Sequence, residues 1–179
     1  MSDKDAFYRD LYRIYSQDEE LNALSLEELL EAVPTVDQLP DVTPGTVVLV
    51  RMDLDVPVKD GRVVDDSRIK ANAKTLHYCI EKGWTTILFG HIGRDKNLTL
   101  KPVCDACSKE VGRDIELIPD WLDEENMKVR DEVVSKIKNA APGALFMLEN
   151  TRKYDIERAL WKAKDAEFRG IAEKMYSLA

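Results

Sequence analysis

Three apolar runs in this chain each end in a short polar segment carrying an arginine or a pair of carboxylates. TVVLV leads into RMDLDVP, TTILF into GHIGRD, and ALFML into ENTRKY. Arg94 follows the second run and Arg152 the third, with His91 three residues before Arg94, and Arg68 stands one turn into the helix that follows the first run. Three guanidiniums and an imidazole gathered at one place call for an anion. A phosphate accepts several charge-assisted hydrogen bonds at once, each worth about 1.5–3 kcal/mol. Taken singly, each arginine could pair with one of the 34 acidic residues at the surface; a shared location argues for a common ligand. Alternation along the first run places Arg51, Asp53 and Asp55 on one face, with Met52 and Leu54 opposite. These carboxylates suit hydrogen bonds to a substrate hydroxyl or to a cluster arginine better than a Mg²⁺ site, which needs phosphate oxygens nearby. Gly90 and Gly93 bracket His91, as in a loop whose backbone approaches a ligand or in a tight turn after a strand. His77 falls inside a helical pattern and reads as packing or surface.

The elements that must position these groups alternate from Thr46 onward. TVVLVRM reads as a strand. Asp66 or Ser67 caps a helix through SRIKANAKTLHYCIEKG, which Gly83 ends, and TTILFG is the next strand. LKPVCDACSKEVG reads as helix, DIELIP as a short strand, ENMKVRDEVVSKIKNA as helix, PGALFML as a strand, and residues 156–178 as a long helix. Near-continuous Val/Ile/Leu strands separated by amphipathic helices predict an α/β fold, a Rossmann-like parallel sheet with helices on both faces. Right-handed crossovers bring all the strand exits to one edge, where open sheets of this class bind ligands. Residues 1–45 differ: apolar positions at helical spacing over 3–15 and a capping box of Ser25 and Glu28 predict a helical arm. Pro34, Pro40 and Pro44 then make an extended lead-in to the domain of residues 46–179.

With 179 residues, 44% apolar and 34% charged, the chain has globular composition and enough length for a full core. No apolar run approaches the roughly 20 residues that span a bilayer, and the N-terminus lacks a signal-peptide pattern, so a cytoplasmic location and no membrane partner are expected. A formal charge of −8 argues against general nucleic-acid affinity. Cys79, Cys104 and Cys107 form no disulfide framework. The Cys104–Cys107 pair reads as packing, because no strand leads into the first cysteine as thiol redox chemistry requires, and no second ligand pair suggests zinc.

RMDLDVPVKDGRVVDDSRIKA, GHIGRD, LKPV and LENTRKY, in this order and spacing, resemble the N-terminal domain of phosphoglycerate kinase, from about residue 35 to the last. The resemblance implies a domain that binds 3-phosphoglycerate, partnered by a second Rossmann-like domain that binds Mg-ATP, with hinge closure bringing the two together for phosphoryl transfer to the substrate carboxylate in glycolysis. Carried over by position, it implies that Asp53 contacts the substrate's hydroxyl end. Arg68, the implied catalytic residue, holds the carboxylate and neutralises the phosphoryl group in flight. His91, Arg94 and Arg152 grip the 3-phosphate.

Two positions depart from the family's pattern. Asp55 stands where the family has asparagine in RxDxNVP, and Asp95 where it has proline after the loop arginine. A carboxylate cannot donate to a substrate oxygen; at an effective dielectric near 20, two like charges 4 Å apart repel by about 4 kcal/mol before screening. These residues hold no Gly-rich nucleotide loop, so no cofactor is expected to bind this chain, Mg-ATP or Mg-ADP requires the C-terminal nucleotide domain, and the isolated chain is expected to be inactive. Alternative readings are a stand-alone non-catalytic module for an anion or a protein partner, and a related kinase domain for a different, less anionic acid. An open sheet edge also makes a homodimer one expected form of the isolated domain.

Overall fold

The Val, Ile and Leu runs at the heart of this sequence pair as a parallel sheet in a computed structural model that describes residues 33, 35–39 and 42–154. The predicted helices over 3–15 and 156–178, and the capping box of Ser25 and Glu28, lie outside the described residues. The chain divides into two compact units, residues 1–42 and 43–179. In the first, the described residues hold a single 3-10 turn, Val36–Gln38, closed by Thr35 N–H donating to Gln38 Oε1 at 3.1 Å.

In the second unit the elements run β1 (Val47–Arg51), β2 (Val58–Lys59), β3 (Arg62–Val63), α1 (Ser67–Glu81), β4 (Thr85–Phe89), α2 (Lys101–Val111), β5 (Glu116–Ile118), β6 (Leu122–Asp123), β7 (Lys128–Val129), α3 (Asp131–Lys138) and β8 (Leu145–Leu148). A 3-10 turn, Thr151–Lys153, follows. The main sheet has the spatial order β1-β4-β8-β5, every pair parallel. Register places Arg51 beside Phe89, Leu88 beside Met147 and Ile118 beside Leu148, so the strands finish at nearly one level and their exits share an edge.

Alternation sends successive side chains to two cores. Leu88, Leu145 and Met147 pack with Ile69 and Leu76 of α1 and Val103, Cys104 and Cys107 of α2. Ile87, Phe146 and Leu148 face the other way, onto Val133 and Ile137 of α3 with Trp121 and Tyr154. Each fully buried large apolar side chain contributes about 1.5–3 kcal/mol, so the central strands β4 and β8, apolar on both faces, anchor the unit. The CxxC is part of this packing. Cys104 and Cys107 lie on the buried side of α2, and the Cys104 thiol donates to Ile115 O at 3.2 Å.

The structure differs from sequence expectation in three local features. The helix expected over 125–140 begins only at Asp131, because Lys128–Val129 pairs antiparallel with Leu122–Asp123. Asp123 takes Asn126 N–H and Nδ2–H, Met127 adopts φ +49°, and both Leu122 and Val129 are buried, so the hairpin hides apolar surface that a helix start would leave outside. A second small hairpin, β2–β3, turns at Asp60-Gly61 with φ +50° and +72°, the geometry favoured by an Asp-Gly pair. At the start of α1 Asp66 is the N-cap, as expected, but its side chain makes no capping bond, and Ser67 N–H donates to Asp65 Oδ1 at 2.9 Å. No helix among the described residues is long and apolar enough to cross a membrane.

Burial pushes the thiols up, Cys104 to about 11 and Cys107 to about 12, and raises Cys79 as well. An acid whose folded pKa is raised favours folding below its unfolded value and loses that contribution as pH rises towards the folded one. Stability to urea should therefore fall steadily as pH rises from about 9 to 11. At pH 8 the folded protein's three thiols should react with a disulfide reagent far more slowly than the urea-unfolded chain; equal rates would refute their packing role.

Candidate functional site

The polar segments that follow β1, β4 and β8 are laced together by buried hydrogen bonds. Past β4 the chain passes so close to the exit of β1 that a Cβ on Gly90 would lie 2.5 Å from Met52 O and 3.2 Å from the Leu54 side chain. Gly90 is thus required by the approach of the protein's own backbone. Its carbonyl oxygen accepts two bonds of 3.0 Å from the β8 exit, from Thr151 N–H and Thr151 Oγ1–H.

Asn150, fully buried, stitches the rest of the loop. Its Nδ2 donates to Ile92 O at 3.2 Å and Leu98 O at 3.0 Å, while its Oδ1 accepts from Ile92 N–H at 3.3 Å and Arg152 N–H at 3.2 Å. Glu149 beside it is also buried. Its carboxylate accepts from Leu100 N–H at 2.7 Å, Asn150 N–H at 2.8 Å and the Thr99 hydroxyl at 2.6 Å, which fixes the start of α2. Trp121 Nε1–H donates to Glu149 O at 2.8 Å and ties in the segment after β5. Sequence reasoning passed over Glu149, Asn150 and Thr99 as functional residues. Their signal was a run of polar residues directly after a four-residue strand, where burial must be satisfied by hydrogen bonds.

On this frame the predicted site residues fall into two groups. In one, Asp55 Oδ1 accepts from Gly93 N–H at 2.7 Å and Asp55 Oδ2 lies 3.8 Å from His91 Nε2. Arg152 Nη1 donates to Gly93 O, so the peptide units flanking Gly93 are held by a carboxylate on one side and a guanidinium on the other. Gly93 itself has φ +59°, and a Cβ there would meet Leu98 Cδ1 at 2.4 Å. In the other group Arg68 Nη1 reaches both oxygens of Asp53, at 2.8 and 2.9 Å. Both partners are about half exposed, so the pair is worth at most about 1 kcal/mol. The step from Asp53 to Asp55 joins the groups: alternation persists past the end of β1, with Met52, Leu54 and Val56 buried and Arg51, Asp53 and Asp55 outside the core.

Arg94 is exposed and makes no hydrogen bond or ion pair among the described residues. Asp95 does not turn towards it. The Asp95 carboxylate accepts from Asn97 N–H and Nδ2–H, both at 2.9 Å, and shapes the loop. Among the described residues, no three His, Cys, Asp or Glu side chains group as metal ligands. The arrangement offers a basic edge of Arg68, Arg94 and Arg152 with His91, interleaved with Asp53 and Asp55. These cations are donors of the kind that anions take, and Asp53 and Asp55 are acceptors of the kind that donor groups take.

The family model for phosphoglycerate kinase matches residues 37–179. The phosphoglycerate kinase of Staphylococcus haemolyticus is 36% identical over 129 residues, covering 69% of this chain and 31% of the relative. That of Deinococcus radiodurans is 38% identical over 113 residues, covering 60% and 26%. The solved structure of the enzyme from Pyrococcus horikoshii superposes with a TM-score of 0.56 at 25% identity, covering 74% of this chain and 33% of that one. The enzyme from Coxiella burnetii gives 0.51 at 27% identity, covering 66% and 28%. The chain thus spans about a third of the length of these relatives.

Removing the Asn150 amide leaves several buried backbone groups unpaired, each costing about 1–3 kcal/mol. Asn150→Ala should therefore destabilise the protein by about 2 kcal/mol or more in urea unfolding. A loss within error of zero would mean the loop is held by other contacts.

Proposed function

The chain belongs to the phosphoglycerate kinase family, and from that premise we propose that residues 43–179 form the 3-phosphoglycerate-binding part of a phosphoglycerate kinase-like enzyme. One observation carries the reading. Parallel register brings the exits of β1, β4 and β8 to one edge, and Arg68, His91, Arg94 and Arg152 are on those exits or on the first turn of α1.

His91, Arg94 and Arg152 form the phosphate grip, with Arg94 ready for a ligand oxygen and Arg152 already aimed across the Gly93 loop. Arg68 is oriented by Asp53 through one nitrogen only, which leaves Nε and Nη2 without partners among the described residues. Those donors suit the substrate carboxylate, while Asp53 accepts from the neighbouring hydroxyl. In phosphoryl transfer the work of such a domain is positioning and charge neutralisation. Arg68 is its catalytic residue, because a guanidinium on the carboxylate also faces the group that the carboxylate receives. Mg-ATP and Mg-ADP are substrates for a nucleotide domain closing over this edge, and glycolysis is the setting the family implies.

Arg94 has no structural partner to lose among the described residues, so Arg94→Ala reads ligand binding. Calorimetric titration with 3-phosphoglycerate should show affinity weakened about tenfold or more, the worth of one charge-assisted contact. Unchanged affinity would refute the phosphate grip. A polypeptide of these 179 residues, with no Gly-rich nucleotide loop, should show no ATP-dependent turnover of 3-phosphoglycerate in a coupled assay; measurable turnover would overturn the division of labour proposed here.

A further inference from the structure

Asp55 is anchored at one oxygen and exposed at the other. Gly93 N–H donates to Oδ1 at 2.7 Å, which orients the carboxylate, and its side chain remains 41% exposed. Its second oxygen has no hydrogen bond among the described residues, since His91 Nε2 at 3.8 Å is beyond bonding reach. An amide in this place would keep the Gly93 bond through its oxygen and offer an N–H₂ to the ligand. The carboxylate instead offers a second acceptor and a full negative charge. Of the cations nearby, Arg68 is engaged with Asp53, Arg152 Nη1 donates to the neutral Gly93 O, and His91 Nε2, at 3.8 Å, offsets the charge only when protonated. A donor that carries positive charge would suit Oδ2 best.

We propose that Asp55 is a specificity-determining residue, and that the site favours a phosphorylated acid with a protonated amine beside its carboxylate over the hydroxy acid of the same length. This rests on the anion-site reading above. The phosphate and carboxylate of such a ligand engage the arginines as before. Its ammonium, with three N–H groups, keeps the donor that the hydroxyl gives Asp53, adds one for Asp55 Oδ2, and lowers the ligand's net negative charge by one. The hydroxy acid supplies a neutral donor and leaves the Asp55 charge facing an anion, which Coulomb repulsion disfavours.

Calorimetric titrations of the full 179-residue chain and of Asp55→Asn with O-phosphoserine, 3-phosphoglycerate and inorganic phosphate test this. The unsubstituted protein should bind O-phosphoserine about fivefold or more tightly than 3-phosphoglycerate, the scale of one partly exposed charge pair. Asp55→Asn, which retains the Gly93 bond, should lose or reverse that preference while its affinity for inorganic phosphate changes less. Equal or tighter binding of 3-phosphoglycerate by the unsubstituted protein overturns the proposal and leaves the anion site standing. So does a preference that survives in Asp55→Asn. Failure of all three probes to bind overturns the anion-site reading and this proposal together. The preference measured on the unsubstituted protein does not depend on the variant folding.

Discussion

The edge where β1, β4 and β8 exit depends on one buried polar node, Glu149 and Asn150 at the end of β8. A carboxylate and an amide taken out of water this completely are costly unless every lone pair and N–H finds a partner, and here the partners are the backbone of the neighbouring loop and the start of α2. The cost of leaving them unpaired is what gives the loop from Gly90 to Leu100 a defined path. Gly90 sets where that path begins, because only a residue without Cβ fits against Met52 O. The arginines and His91 are thus carried on a scaffold whose rigidity comes from hydrogen bonds between segments far apart in sequence.

Two of the cations on this scaffold, Arg68 and Arg152, are already partnered in ways a ligand could take over. Asp53 holds Arg68 through an exposed pair, which solvent weakens, so a carboxylate ligand competes against about 1 kcal/mol or less. Arg152 donates to a peptide oxygen, a neutral acceptor that a phosphate oxygen outmatches. Held this way, Arg68 and Arg152 are oriented before any anion arrives, and less side-chain freedom would be lost on binding.

Much of this was legible in the chain itself, for reasons specific to particular residues. Near-continuous apolar runs such as TTILF and LFML announce buried parallel strands, and their exits could be read because a parallel sheet puts them together. The alternation of Asp53 and Asp55 with Met52 and Leu54 was readable too, although β1 itself ends at Arg51. The hairpin at Leu122–Asp123 and Lys128–Val129 was not, because Asn126 and Met127 sit in a stretch whose spacing also suits a helix and only the burial of Leu122 and Val129 decides. Nor was the role of Glu149 and Asn150, which arises from contacts about 50 to 60 residues away. Family resemblance pointed to the arginines; it was silent on what holds them.

The order β1-β4-β8-β5 gives β4 and β8 a hydrogen-bonded neighbour on both sides, and β1 only one among the described strands. Arg94 and Arg152 therefore issue from the stiff middle of the sheet, while Asp53 and Asp55 issue from its margin. Marginal strands open locally at lower free energy than central ones, so amide hydrogens there exchange sooner. The two halves of the site consequently differ in compliance: the cationic half is a fixed template, and the acidic half is the part able to shift when a ligand of different shape or charge settles between them.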